Sequence, residues 1–108
     1  MEKHYAGNCV IYVGESEKNQ GMSIAEQMRI CLWFADMQAR RVVRCFENAS
    51  LESLFGFCFD PGNKIDTVFM AEDEYLSWNP EYRQSVGVQF AHIGITLRIG
   101  YSGNGIGV

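Results

Sequence analysis

Short apolar runs alternate along this chain with longer segments in which apolar residues recur every three or four positions. Four runs, over residues 9–13, 42–46, 65–70 and 95–99, are rich in β-branched and aromatic residues and predict strands. The last of them alternates apolar and polar residues, which is typical of a half-buried strand at the edge of a sheet. Because the segments between the runs have helical periodicity, the predicted order is βαβαβαβ.

The first predicted helix begins at a capping box, in which the Ser23 hydroxyl and the Glu26 side chain satisfy backbone N–H groups of the first turn. It runs to about Ala39, and Arg40 and Arg41 close it, where positive charge is favourable for the helix dipole. We expect its apolar stripe to consist of Ile24, Met28, Cys31, Leu32 and Ala35. The large apolar residues of this helix are also expected to cover the sheet, namely Met28, Trp33, Phe34 and Met37.

Two further helices follow. Ser50 is placed to cap a short one, which ends before a strong turn signal over residues 60–63. Asn79 and Pro80 read as the cap and first residue of the next, and Gly94 suits its C-terminal end. The expected apolar face of the second helix is Leu51, Leu54, Phe55 and Cys58, and that of the third is Tyr82, Val86, Phe90 and Ile93.

Strands that alternate with helices imply a parallel sheet with right-handed crossovers. We therefore predict an α/β fold, a three-layer sandwich around a four-stranded, mainly parallel sheet. Residues 1–108 form one domain, with a core over residues 9–99 and a tail over residues 100–108 that contains four glycines. No helix is predicted after these glycines, so they lack the context of a phosphate-binding loop.

Charge and cysteine usage narrow the function classes. The formal net charge is −4 with nine Lys and Arg, whereas proteins that hold DNA by themselves usually carry a basic stripe. The four cysteines have no C-x-x-C spacing, and we expect them to be buried, reduced thiols of a cytoplasmic protein. No apolar stretch is long enough to span a membrane. We expect no cofactor and no membrane contact.

A serine follows the first strand closely. Residues 9–13 deliver Ser16 to a loop at the carboxyl end of the sheet, the edge where α/β proteins bind their ligands. A serine in this place is a candidate nucleophile, but it needs partners that activate it. Its neighbours in sequence are Gly14, Glu15 and Glu17. The alternative is a polar loop residue that hydrogen-bonds to local backbone.

Several motifs occur in the order found in the catalytic domain of serine recombinases, the resolvase and invertase group. Tyr12, Gly14 and Ser16 match a Y-x-R-x-S pattern in which the serine attacks DNA. Residues 23–27 resemble the family's S-[IL]-x-x-Q helix start. The other matches are Glu47 and Ser50 after the second strand, residues 74–79 for a D-R-L-S-R-N pattern, and residues 94–97 for G-[IV]-x-L.

The resemblance covers about residues 8–99 and implies a resolvase-like fold. It also implies that Ser16 stands at the nucleophile position, with Tyr12 beside it in the same motif. The family's arginines are missing, because Gly14, Tyr75 and Trp78 stand at their positions and no arginine lies between Ser50 and Cys58. The family's long dimerisation helix and DNA-binding segment also have no counterpart after the fourth strand, which makes the family's usual dimer unexpected.

These losses bear on catalysis. Attack on a phosphodiester builds negative charge on oxygen, which bidentate guanidinium groups stabilise, and loss of one such donor commonly costs ~10²–10³ in rate. The loops at the strand ends are instead acidic, with Glu15, Glu17, Glu47, Glu72, Asp73 and Glu74. We therefore expect a catalytically inactive, resolvase-like protein that binds another protein, such as a recombinase of a mobile element or prophage.

We expect the partner to contact the segment with Glu74, Tyr75, Ser77 and Trp78, where two aromatic residues replace charged ones. DNA would then be bound weakly or through the partner. Two alternatives stay open. The chain could be an active or DNA-engaging recombinase component that uses Ser16 with arginines supplied by another subunit. It could also be a Mg²⁺-dependent phosphotransfer domain that uses Glu15 and residues 72–74.

Overall fold

The computed structural model describes residues 4–14, 23–71 and 80–99. Four strands and three helices follow one another as β1 (Gly7–Val13), α1 (Ile24–Met37), β2 (Arg40–Glu47), α2 (Leu51–Phe59), β3 (Ile65–Met70), α3 (Pro80–His92) and β4 (Thr96–Ile99). A single 3₁₀ turn, Pro61–Asn63, joins α2 to β3. The predicted βαβαβαβ order is confirmed.

The strands form one sheet of order β2-β1-β3-β4, and every described pairing is parallel. Strands β1 and β3 are central, whereas β2 and β4 are edges. The α/β class and the four-stranded parallel sheet are therefore confirmed. The predicted alternation of the last strand also holds, since Ile95 is buried and Thr96 and Arg98 are exposed.

Two apolar clusters, one on each face of the sheet, make the fold three-layered. On one face α2 and α3 pack against alternate residues of the central strands, in a cluster that includes Val10, Tyr12, Leu54, Val68 and Phe90. On the other face α1 packs against the intervening residues, in a cluster that includes Cys9, Ile11, Cys31, Ala35 and Phe69. Burial of these side chains is the main favourable term in folding.

Both strands that flank β1 carry a bulge opposite Cys9. Along β2 the pairing steps from Val42 to Arg44, so Val43 is an extra residue. Along β3 it steps from Ile65 to Thr67, so Asp66 is an extra residue. Each bulge reverses the alternation of the residues after it. For this reason Ile65 and Val68, three positions apart, belong to the same cluster.

The bulge at Asp66 places a charged pair across the amino edge of the sheet. Arg40 Nη1 of β2 donates to Asp66 Oδ2 of β3 at 2.5 Å, and Thr67 Oγ1 donates to Asp66 Oδ1 at 2.8 Å. The pair crosses β1 at Gly7, where an added Cβ would overlap Asp66 Oδ2 and lie 2.6 Å from Arg40 Nη1. Glycine at this position therefore lets the pair form.

The predicted end of the first helix is wrong. Helix α1 ends at Met37, where the Gln38 N–H donates to the Phe34 carbonyl at 3.0 Å and the Ala39 N–H donates to the Asp36 carbonyl at 3.1 Å. Ala39 has a φ of 55°, a left-handed conformation that stops the helix. Arg40 and Arg41 are consequently the first two residues of β2 rather than the last turn of a helix.

The other helix-end signals that fall on described residues agree with the structure, whereas the predicted cap Asn79 lies outside the described residues. Ser23 Oγ accepts from the Glu26 N–H at 3.1 Å, and Ser50 Oγ accepts from the Ser53 N–H at 3.2 Å. Helix α3 begins at Pro80, and Gly94 after it has a φ of 79°. Each signal depends on neighbouring residues alone, so each can be read from sequence.

Several expected core positions are exposed. Trp33 is 57% and Met37 63% exposed, and Leu32 and Ile93 are also exposed. Met28 and Phe34 do pack against the sheet, as expected. Helix α1 contacts the sheet along one stripe only. It has more apolar residues than this stripe can bury, so the remaining ones are exposed.

The cysteines divide into two kinds. Cys9, Cys31 and Cys58 are buried, as predicted, whereas Cys45 on the edge strand β2 is exposed, so that prediction is wrong for Cys45. Burial raises the pKa of the Cys9 and Cys31 thiols to about 12 and that of Cys58 to about 11. Partial burial, and then the Glu47 carboxylate, raise the pKa of Cys45.

The charged pair over Gly7 can be tested with a double-mutant cycle. We expect Gly7→Ala to lower the free energy of unfolding by about 1 kcal/mol, because the new methyl group displaces a partly exposed ion pair. The same substitution should cost less than half as much in an Asp66→Ala background. Urea unfolding followed by circular dichroism measures both values. Strictly additive effects would contradict this account of Gly7.

The buried thiols predict a loss of stability at alkaline pH. Cys31 ionises near pH 9 when unfolded and near pH 12 when folded, so the folded chain keeps a proton that the unfolded chain has lost. Stability from this thiol is complete below pH 9 and falls above it by about 1.4 kcal/mol per pH unit. In urea titrations between these pH values, Cys31→Ala should flatten the decline by that amount. Equal slopes for the two proteins would refute the prediction.

Candidate functional site

The exit of β1, at the carboxyl edge of the sheet, is held by a side-chain amide. The Gly14 N–H donates to Gln27 Oε1 at 3.1 Å, and Gln27 Nε2 donates to the Gly14 carbonyl at 2.9 Å. Gln27 is completely buried. We call this pair of hydrogen bonds the Gln27 clamp. It fixes the residue from which the chain continues toward Ser16.

The start of α1 explains how a glutamine reaches this position. Ser23 caps the helix, and the Gln27 N–H makes a helical bond of 3.0 Å to the Ser23 carbonyl. The side chain of Gln27 therefore leaves the first turn on the same face as Cys31 and Ala35, which contact the sheet. A polar group buried there must be hydrogen-bonded. The backbone N–H and carbonyl of Gly14 are its partners.

Asn48 closes the same edge from the second strand. It has a φ of 52°, and its N–H donates to the Val13 carbonyl at 3.0 Å. A Cβ added at Gly14 would lie 3.2 Å from Asn48 Oδ1, which is a tight contact. Gly14 is thus buried between Gln27 and Asn48, with no side chain of its own.

Tyr12 lies on the opposite face of the sheet. Its ring is buried with α2 and α3, and its hydroxyl donates to the Ala49 carbonyl at 2.7 Å. This bond holds the residue that precedes the Ser50 cap of α2. The geometry gives Tyr12 a structural function, and a catalytic function for it stays a prediction.

Most of the predicted site lies outside the described residues. These positions are Ser16, Glu74, Tyr75, Ser77 and Trp78, together with the acidic residues Glu15, Glu17, Glu72 and Asp73. The described part brings together Gly14, Gln27 and Asn48. Within residues 4–14, 23–71 and 80–99, no three His, Cys, Asp or Glu side chains are grouped so that they could hold a metal ion.

Sequence reasoning had assigned no site function to Gln27 or Asn48. A signal existed for Gln27, which occupies the apolar stripe of α1 between Ile24 and Cys31, where a polar residue needs an explanation. For Asn48 the sequence offers a weaker one, since asparagine tolerates the left-handed conformation after a strand. Neither signal identifies the partner, which lies on another element.

The fold can now be compared with that of known proteins. A four-stranded parallel sheet with one helix on one face and two on the other is the arrangement that the resemblance to the serine recombinase catalytic domain predicts. The structure is similar to the C-terminal catalytic domain of ISC1926 TnpA, an IS607-like serine recombinase, with a TM-score of 0.72 and 16% sequence identity.

That similarity covers 87% of this chain and 67% of the other. At this level of identity it demonstrates the fold, and the predicted resemblance to serine recombinases is confirmed in this respect. No protein-family model matches the chain, and no curated protein matches it either. Of the helices that the structure describes, none has the length and apolar character needed to cross a membrane.

The Gln27 clamp predicts a large effect of removing the amide. Gln27→Leu leaves the buried N–H and carbonyl of Gly14 without this partner, and we expect a loss of about 2–4 kcal/mol in unfolding free energy. The matched change Gln89→Leu, on an exposed position of α3, should cost less than about 0.5 kcal/mol. Urea unfolding measures both, and comparable losses would contradict the importance of the clamp.

Gln27→Glu tests the direction of the two hydrogen bonds. The new carboxylate can accept from the Gly14 N–H, but it faces the Gly14 carbonyl without a proton to donate. Burial should raise the pKa of this carboxyl in the folded state. The substitution should therefore cost less at acidic pH, and its cost should grow as the pH rises above the ordinary carboxyl pKa of about 4.3. A cost independent of pH would exclude the assigned orientation of the amide.

Proposed function

We propose that this chain is a non-catalytic protein with a serine recombinase-like fold that acts by binding another protein, such as a recombinase of a mobile element or prophage. It keeps the scaffold that presents a serine loop at the end of β1. It lacks the positive charge that strand transfer at this loop requires. DNA is engaged weakly or through the partner.

Gly14 is the observation that carries the proposal. The Y-x-R-x-S pattern requires an arginine at this position, where the present chain has a buried glycine whose peptide groups are held by Gln27. No guanidinium can originate there. The tight contact with Asn48 also leaves little room at the Gly14 Cα.

The remaining replacements also remove positive charge relative to the serine recombinase pattern. Tyr75 and Trp78 stand where the D-R-L-S-R-N pattern has arginines. An enzyme that attacks a phosphodiester must stabilise charge that develops on the phosphate oxygens. With these arginines replaced, the Ser16 hydroxyl lacks that stabilisation, and its neighbours in sequence, Glu15 and Glu17, carry charge that repels phosphate.

A protein partner is favoured by the apolar surface of the domain. Trp33 and Met37 of α1 are more than half exposed, and Leu32 is exposed beside them. Monomeric proteins rarely leave large apolar groups together in water unless these take part in an interaction. The aromatic residues Tyr75 and Trp78 would add to a contact surface at the serine loop.

The second candidate is a recombinase component that remains active through Ser16, with arginines supplied by another subunit. Its support is the similarity of the fold to a recombinase catalytic domain. This candidate requires DNA binding whose affinity falls steeply with salt concentration. The non-catalytic protein should bind DNA weakly at low salt and show no site preference.

A strand-cleavage assay tests the proposal on the chain by itself, whereas the second candidate, whose arginines come from another subunit, is tested by the salt dependence of DNA binding. Purified protein is incubated with supercoiled DNA, the reaction is stopped with detergent, and covalent protein–DNA adducts and nicked products are quantified. We expect wild type and Ser16→Ala to be indistinguishable from each other and from a reaction without protein, because the hydroxyl has no stabilising cations. Adducts that require Ser16 would overturn the proposal.

A further inference from the structure

Strand β2 is an edge of the sheet with an open side. It has eight residues, and among the described strands it pairs with β1 alone. Within residues 4–14, 23–71 and 80–99, no strand pairs with its outer side, so the N–H and carbonyl groups there can pair with an added strand. After the bulge at Val43, its stretch Arg44–Glu47 pairs regularly with β1 and offers the most regular template.

This edge carries a net positive charge, in contrast to the acidic chain, because β2 has three arginines and one carboxylate, Glu47. Three of the protein's six arginines, Arg40, Arg41 and Arg44, belong to β2. Arg40 is paired with Asp66. The exposed Arg41 and Arg44 make no ion pair within the part of the chain that the structure describes, so their charges are available to a partner.

Both free guanidinium groups are held against aromatic rings. Arg41 Cζ lies 4.9 Å from the centre of the Tyr5 ring, and Arg44 Cζ lies 4.9 Å and 5.2 Å from those of Phe46 and Phe57. Stacking of this kind orients a guanidinium group without using its N–H donors. The donors remain available for carboxylate oxygens.

The register places these two arginines on one face of the sheet. Arg41 pairs with Asn8 and Arg44 with Val10 of β1, so they are separated by one strand repeat of roughly 7 Å. Acidic residues at alternate positions of an added strand have the same spacing and face the same side. The edge thus combines backbone pairing with a matched pair of charges.

We propose that the open edge of β2 binds an extended acidic segment of the partner protein by strand addition. This inference rests on the proposed protein-binding function and names a surface for it. Strand addition gains its affinity from main-chain hydrogen bonds and its specificity from side chains at alternate positions. Here, Arg41 and Arg44 select glutamate or aspartate at those positions.

Other occupants fit this edge less well. A second copy paired through its own β2 offers one carboxylate, Glu47, for each pair of arginines, Arg41 and Arg44, so at least one arginine of each copy would face no opposite charge. The phosphates of a nucleic acid could contact Arg41 and Arg44, but a nucleic acid could not form the strand-type hydrogen bonds with the N–H and carbonyl groups of β2. Charge and backbone together therefore favour an acidic peptide.

The test uses a labelled peptide as long as β2, eight residues, that alternates glutamate and valine. Fluorescence anisotropy should detect saturable binding of this peptide and not of a peptide that alternates lysine and valine. The double variant Arg41→Glu/Arg44→Glu should weaken binding at least about tenfold. Arg29→Glu/Arg98→Glu, which changes the net charge equally at exposed positions of α1 and β4, should stay within about twofold.

Hydrogen exchange supplies the structural readout. At saturating peptide, amide protons of residues 44–47 should gain protection, because strand addition pairs the outer side of β2. Equal binding of both peptides, an equal loss with the two double variants, or protection confined to other elements would overturn the proposal. So would the absence of peptide binding by a wild-type protein whose fold is intact.

Two further results would show that the edge binds something other than an acidic peptide, and either would overturn the proposal. Tighter binding of a single- or double-stranded oligonucleotide that depends on Arg41 and Arg44 would assign the edge to nucleic acid. A dimer in sedimentation velocity that these two substitutions dissociate would assign it to a second copy. Failure here leaves the strand-cleavage result untouched, whereas Ser16-dependent adducts would remove the proposed function without affecting peptide binding.

Discussion

The two hydrogen bonds between Gln27 and Gly14 are the constraint on which the carboxyl edge of this sheet depends. A primary amide offers a donor and an acceptor at once, so one buried side chain satisfies both backbone groups of the residue at which β1 ends. The capped first turn of α1 sets the position of that amide. Helix, strand and loop exit are therefore fixed relative to one another by a single residue.

At each end of β1, side chains from other elements lie so close to a glycine that a larger residue would not fit without a shift. At the amino end the Arg40–Asp66 pair crosses Gly7, and at the carboxyl end Gln27 and Asn48 enclose Gly14. The first uses an ion pair to join β2 and β3 at the edge of the sheet opposite the carboxyl end of β1. The second leaves a neutral, closed position at Gly14, where the serine recombinase pattern has arginine. The proposed binding function rests on this difference, together with the arginines on the β2 edge.

Much of the fold could be predicted because its signals are local. Apolar runs located the four strands, and the serine caps and Gly94 marked helix ends that the structure confirms. The predictions that were wrong depended on contacts between elements. Arg40 and Arg41 were predicted to end α1, but the left-handed conformation of Ala39 ends the helix before them. Trp33 and Met37 were predicted to be buried, but apolar character alone does not specify which residues another element covers. For the site, the motifs included Tyr12, Gly14 and Gln27, but they did not indicate that Gln27 contacts Gly14 or that Tyr12 contacts Ala49.

By itself, the sequence determined the order of the elements, the parallel sheet, the resemblance to serine recombinases and the presence of Gly14 where their pattern has arginine, since each follows from residue type and spacing. The tertiary structure alone decided which residues are brought together. Bulges at Val43 and Asp66 reset which side chains face each layer. Gln27 bonds to Gly14, which is 13 positions away in sequence, and Tyr12 bonds to Ala49, which is 37 positions away. Such partners depend on how separate elements pack, because a buried polar group is satisfied by whichever group the fold places beside it.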